Sequence, residues 1–256
     1  MLRIASAAAS HPGLRREQNE DAYCVRPDLG LYLVADGMGG HAAGEVASRL
    51  AVDAIEDFIQ GTQQVTDADQ WPQPYDPGQG IDGNRLRMAF HLANRRLSEA
   101  AAGNSALRGM ATTASAALVG ERAIVIAHVG DSRIYRWRNR ALEQLTTDHS
   151  WVGDRVRAGI LSESDARQHP WRNVVTRALA GGEDPEVDIA TLDVQDGDRL
   201  LLCSDGLSGV VPHERVEQLL GHESSLETTC LALVEAANAA GGPDNITVAI
   251  LRADVA

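Results

Sequence analysis

The sequence predicts a layered domain of β-strands and α-helices, and three observations predict it. Short apolar, β-branched runs recur along the chain, several of them are apolar at every position, and amphipathic helical patterns stand between them. A strand that alternates apolar and polar residues buries one face. An unbroken apolar strand needs cover on both, as when two sheets pack together and carry helices outside. With 256 residues and 44% hydrophobic content, the chain can bury one sizeable core, and one domain over 1–256 is expected.

Taken in order, DAYCVR (21–26) and LYLVA (31–35) read as the first strands. EVASRLAVDAIEDFI follows, with Val46, Leu50, Ile55, Phe58 and Ile59 near one face of a helix. Residues 60–83 are rich in Gln, Pro, Gly and Asp with almost no aliphatic side chains, which predicts a long surface loop with little to order it. Helical periodicity returns at 84–101, and TTASAALV (112–119), AIVIAHV (123–129) and RIYRW (133–137) resume the strands. The stretch 148–182 mixes short helical patterns with HPWRNVV and interrupts the strand series, as an inserted flap would. RLLLC (199–203), a helix over 226–240 and NITVAIL (245–251) complete the pattern. The opening MLRIASAAAS is too short for a signal-peptide core, and no run approaches the ~20 apolar residues of a membrane span, so a soluble, cytoplasmic protein is expected.

Charge narrows the chemistry. Against 36 acidic residues stand 23 basic ones, a formal charge of -13 that disfavours nucleic acid and anionic membranes as partners and favours cations. Every basic residue is arginine. Without lysine the chain has no P-loop or kinase phosphate contact and no Schiff-base chemistry. Cys24, Cys203 and Cys230 lie far apart with no CxxC spacing, which reads as buried thiols in a reducing compartment and not as a zinc site. The glycine-rich VADGMGGHAAG (34–44) has neither the lysine nor the GxGxxG spacing of a nucleotide cradle, and instead sets the Asp36 carboxylate at a strand end.

That placement recurs. Asp21 opens one strand and Asp36 closes the next, Asp131 and Asp205 follow two more, and Asp244 precedes the last. Turn chemistry explains any one of them, because Asp-Gly and Gly-Asp pairs are common at strand ends. Five together weaken that account. Gathered at one edge of the sheets, the carboxylates would repel and take up protons unless divalent cations neutralised them. Oxygen ligands without a histidine or thiolate cluster suit Mg²⁺ or Mn²⁺, and glycine after Asp36 lets a backbone carbonyl approach a metal.

The ordered segments RREQNEDAY, VADGMGGHAAG, GMATTASAALV, HVGDSRIYRWR, LTTDHSWV, LLCSDGLSGVV and GGPDNITVAIL resemble, over almost the whole chain, the bacterial metal-dependent Ser/Thr protein phosphatases of the PPM (type 2C) class. The resemblance implies an α+β fold, a four-layer β-sandwich of two antiparallel sheets with helices on both outer faces. It implies a binuclear Mn²⁺/Mg²⁺ centre in which Asp36 bridges two ions, the Gly37 carbonyl ligates one, and Asp205 and Asp244 complete the other. Glu20 and Asp21 would hold metal-bound waters, and Asp131 with Asp205 would build a third, weaker metal position. Arg16 matches the arginine that clamps substrate phosphate, whose planar fork fits two oxygens as lysine could not.

By the same resemblance, a hydroxide bridging the two ions attacks phosphorus in line, with no covalent phosphoenzyme. Eukaryotic members carry His directly after the Asp-Gly pair, where this chain has Met38. The leaving group's proton then comes from His41, three residues on, or from metal-bound water. Arg172 in the flap is a candidate contact for the phosphoprotein. The implied partners are phosphorylated Ser/Thr proteins and an opposing Ser/Thr kinase, and a monomer is expected. A phosphoprotein-binding pseudophosphatase is the alternative; it would lack a metal carboxylate, whereas Asp36, Asp205 and Asp244 are all present. A phosphatase with a nucleophilic aspartate would need a DxDx[TV] strand end, which does not occur.

Overall fold

The computed structural model describes residues 2–39, 43–71, 74–121 and 123–255. Among the described residues, eleven strands build two antiparallel sheets. The first sheet runs β1 (Leu2–His11), β11 (Ile246–Val255), β10 (Arg199–Cys203), β7 (Arg133–Arg138) and β8 (Ala141–Gln144). The second runs β2 (Asp21–Arg26), β3 (Leu31–Met38), β5 (Ala114–Val119), β6 (Ile124–Val129) and β9 (Asp188–Leu192), with the two-residue β4 (Ala111–Thr112) beside the end of β3.

The unbroken apolar strands are accounted for by two faces that both pack. Along β3, Leu31, Leu33 and Ala35 join a core under helices α1 (Ala43–Thr62) and α2 (Gly80–Gly103), while Tyr32 and Val34 point the other way into the space between the sheets. Along β10 and β11, Leu201, Cys203, Val248 and Ile250 meet α6 (His213–Gly221) and α7 (Leu226–Ala239), and Leu200, Leu202, Ala249 and Leu251 face the other sheet. Three apolar cores thus separate four layers, helix, sheet, sheet and helix. This is the α+β sandwich that the resemblance implied.

The expected loop over 60–83 is shorter and better ordered than its composition suggested. Helix α1 runs on to Thr62 and α2 begins at Gly80. Between them, Asp67 and Asp76 cap two short 3₁₀ turns by accepting from the backbone of Asp69 and Gly78. Trp71 is buried, edge-on to Phe58 with centroids 6.1 Å apart. One indole supplies the apolar anchor that the surrounding polar residues lack. Helices α5 (Asp205–Ser208) and α6 and three strands escaped the sequence pattern. In β1, small Ala and Ser side chains hide the alternation by which Ala5, Ala7 and Ala9 face α7's core while Ile4 and Ala8 face the other sheet. β8 and β9 are short edge strands, largely exposed or half-buried, and β9 adds a strand between the flap and the last two. No helix of the described residues is long and apolar enough to cross a membrane.

Candidate active site

The sandwich brings the strand-end carboxylates to one edge. In the β2–β3 ladder Asp21 stands directly opposite Asp36. The backbone of Asp36 is fixed from the β4–β5 corner: its N–H donates to Thr113 Oγ1 at 2.9 Å, and its carbonyl accepts from Thr113 N and Thr112 Oγ1, both at 2.9 Å. Thr113 Oγ1 in turn meets Ser132 Oγ at 2.7 Å, tying the Asp36 strand to the Gly130–Ser132 turn that carries Asp131. Asp205 opens the short helix α5 (Asp205–Ser208), directly after β10.

Both Asp-Gly pairs are explained by close backbone approach. A Cβ on Gly37 would lie 2.0 Å from the Gly44 carbonyl oxygen, and one on Gly206 would lie 1.9 Å from that of Asn245. Only glycine lets these strand ends pack so tightly against α1 and the Asp244 segment.

Several polar residues position the acids, and the sequence reading passed over them. Ser204 Oγ donates to Asp21 Oδ2 at 2.8 Å and itself accepts from Thr247 N at 3.0 Å. Asn245 works as a bracket: its Oδ1 accepts from Glu20 N at 2.7 Å, and its Nδ2 donates to the carbonyls of Pro12 and Gln18 at 3.0 and 2.8 Å. Its own N–H donates to Asp244 Oδ1 at 2.9 Å. The segment carrying Arg16 and Glu20 is thereby clipped to the one carrying Asp244. The available signal was a polar residue beside each acid, in CSDG and PDNI, at positions otherwise bounded by apolar strands.

The electrostatics show how closely the acids gather. Burial pushes the Asp36 carboxyl well above the usual range, and repulsion from Asp21, Asp205, Asp131 and Asp244 adds to it. Burial likewise raises Asp131 to about 8, Asp21 to about 7 and Asp205 to about 6, each with a neighbouring aspartate pushing the same way. Glu20 is raised by burial, against the pull of Arg16. Arg16 Nη2 donates to Asp244 Oδ2 at 2.8 Å, a bond that raises the guanidinium further.

The donors suit hard cations. They are all oxygens, and Asp21 Oδ1 is buried with no hydrogen-bond partner among the described residues. As they stand, no three His, Cys, Asp or Glu side chains among the described residues are arranged to hold an ion. Arg16 and the Asn245 N–H occupy Asp244, and Ser204 occupies one oxygen of Asp21. Glu20, Asp21, Asp36, Asp131, Asp205 and Asp244 are brought to one edge, where charge on some of them raises the carboxyls of others. His41 lies outside the described residues.

A cavity of about 650 Å³ opens on this edge, with Arg16, Asp131, Asp205 and Asp244 in its wall and Arg172 among the flap residues that line it. The flap holds α3 (Trp151–Arg157) and α4 (Glu163–Gln168). Its root is pinned where His149 N donates to the Gly130 carbonyl at 2.7 Å and where Arg133 makes a two-pronged pair with Asp148 at 2.8 and 2.6 Å. Trp151 stacks on His169 and meets Trp171 edge-on, both with centroids 4.7 Å apart, under Arg155. Trp171 remains 54% exposed, so the two tryptophans do not both pack inward.

Residues 14–242 match the family model for protein phosphatase 2C. The chain belongs to the protein phosphatase 2C family. It is 37% identical to the serine/threonine phosphatase Stp of Listeria monocytogenes over 249 residues, covering 95% of this chain and 93% of that protein. The fold matches the crystal structure of the Mycobacterium tuberculosis serine/threonine phosphatase PstP/Ppp with a TM-score of 0.85 and 34% identity, over 98% of this chain and 99% of the other. It also matches the catalytic domain of PstP in complex with two manganese ions, at a TM-score of 0.83 and 33% identity over 100% of both chains.

Proposed function

We propose that this phosphatase 2C chain hydrolyses phosphoserine and phosphothreonine on proteins, by direct attack of water on phosphorus and without a covalent intermediate. The observation that carries this reading is the buried carboxylate edge around Asp36, with Arg16 bound to Asp244 beside it and Arg16, Asp131, Asp205 and Asp244 opening on one cavity. Mn²⁺ or Mg²⁺, two per chain with a third, weaker position, is the cofactor. When bound, these ions supply Lewis-acid activation of water and neutralise charge at phosphorus.

Asp36, the Gly37 carbonyl, Asp205 and Asp244 would hold the two ions, with Glu20 and Asp21 supporting them through water and Asp131 serving the third position. Arg16 orients the phosphate with its planar fork and offsets charge on the oxygens. Asn245 and Ser204 keep these groups in place. Arg172 contacts the protein around the phosphorylated residue, and an opposing Ser/Thr kinase supplies the substrate. A monomer acting in the cytoplasm completes the reading. Retention of Asp36, Asp205 and Asp244 counts against a pseudophosphatase.

Hydrolysis of a phosphothreonine peptide should require added Mn²⁺ or Mg²⁺. Full activity after exhaustive chelation would defeat the metal assignment.

A further inference from the structure

The cavity at the carboxylate edge exceeds what a phosphorylated side chain fills. At about 650 Å³ it lies within the ~300–1,000 Å³ range of clefts that hold whole ligands. Besides the catalytic groups it has an apolar wall: Val152, Val156 and Ala166 from the flap, and Val210, Val211 and Val216 from the turn after α5 and from α6. Val152 and Ala166 are buried, yet neither belongs to any of the three cores of the sandwich. Hydrolysis at phosphorus needs oxygen donors and positive charge, and none of these six side chains supplies either.

Three of the arginines in the same wall are committed to carboxylates. Arg16 is paired with Asp244, Arg133 with Asp148, and Arg157 with Asp154. An occupant of the remaining apolar surface must therefore bring hydrocarbon. If compact, the cavity is about 9 Å across, the cube root of its volume, and an extended chain at ~3.5 Å per residue crosses that span in two or three residues. A polypeptide anchored by its phosphate at Arg16 has these valines within reach of its neighbouring residues.

We propose that the valine wall shared by the flap and the α5–α6 turn is a specificity subsite for an aliphatic side chain of the phosphoprotein, within about three residues of the phosphorylated one. The proposal rests on the phosphatase reading above. It selects, among phosphoproteins, those with Leu, Ile, Val or Met beside the site.

The test uses the full chain with saturating Mn²⁺ and phosphothreonine peptides of alanine background, with leucine placed at one flanking position at a time. Leucine should raise kcat/KM about tenfold over alanine at one or two positions on the same side. Val156→Ser and Val210→Ser change side chains that are only partly buried, Val210 at the margin of the core under α6 and α7. Each should cut the leucine-to-alanine ratio to about threefold or less. The ratio is internal to each variant, so a general loss of folding or metal cancels from it. Wild type that hydrolyses an aryl phosphate but shows no leucine preference at any position overturns the subsite, as does a preference that survives both substitutions. Wild type inert on the aryl phosphate and the peptides alike overturns the phosphatase reading itself, a failure visible before any ratio is taken.

Discussion

Removing divalent cations should reveal the cost of gathering carboxylates as a fall in stability with rising pH. Burial, with neighbouring aspartates pushing the same way, holds Asp21 at about 7 and Asp131 at about 8, against about 4 in an unfolded chain. Between those values the folded protein keeps protons that the unfolded chain has released, so each unit of pH favours unfolding. From pH 6.5 to 8 the two groups together cost about 2 kcal/mol. His128 and His149 oppose them. Burial lowers both, His128 to about 4, so below the unfolded value of about 6.5 the unfolded chain binds protons that the folded one refuses. Raising pH past that value returns less than about 1 kcal/mol. The net loss of about 1 kcal/mol, with Asp36 adding to it, lowers Tm by roughly 2–4 °C.

Saturating Mn²⁺ keeps the carboxylates ionised, removes their contribution and leaves that of the histidines, so the slope should flatten or turn upward. Calorimetry of chelated and Mn²⁺-loaded protein from pH 6.5 to 8 reads both slopes. The comparison stops at pH 8, since the buried thiols of Cys24, Cys203 and Cys230, each pushed to about 12, add a fall of their own above it. A chelated Tm that stays flat or rises over this interval, or that falls equally with Mn²⁺ present, refutes the reasoning.

Asp205→Asn should abolish turnover while the chelated protein melts no lower than wild type, because one repelling carboxylate is gone; a wild-type rate would remove Asp205 from the site. Arg16→Lys should raise KM for an aryl phosphate about tenfold with a smaller fall in kcat, as expected when a forked contact becomes a single point charge. An unchanged KM would assign Arg16 to structure. Substituting Arg172 with Ala, or trimming the 159–169 turn, should slow dephosphorylation of a phosphoprotein about tenfold and nearly spare an aryl phosphate. Equal losses on both substrates would mean that the flap shapes the catalytic edge itself.

The sequence was most legible where burial is two-sided. LYLVA and RLLLC are apolar throughout because alternate residues enter different cores, and no amphipathic helix offers that pattern. The acids were legible because they punctuate those strands. Their supports were not, since Ser204, Thr113 and Asn245 are common polar residues whose partners lie far along the chain, as with the 225 positions between Asn245 and Glu20. The 60–83 segment was misjudged for a related reason: composition averages over a window, while a single buried indole, Trp71, can fix one. The interruption of the strand series at 148–182 was readable, but the valine wall was not, because half of it comes from the α5–α6 turn some 50 residues further on.

β11 sits in the middle of its sheet, between β1 from residues 2–11 and β10 from residues 199–203. Because β1 pairs among the described residues with β11 alone, a chain emerging residue by residue carries β1 without that partner until residues 246–255 have followed. Asp244 and Asn245 immediately precede β11, so the arginine at position 16 meets its acid, 228 positions away, only as that strand zips in. Closure over such separations is slow. The candidate site therefore closes only once β11 is in place, when Arg16 and Asp244 first meet.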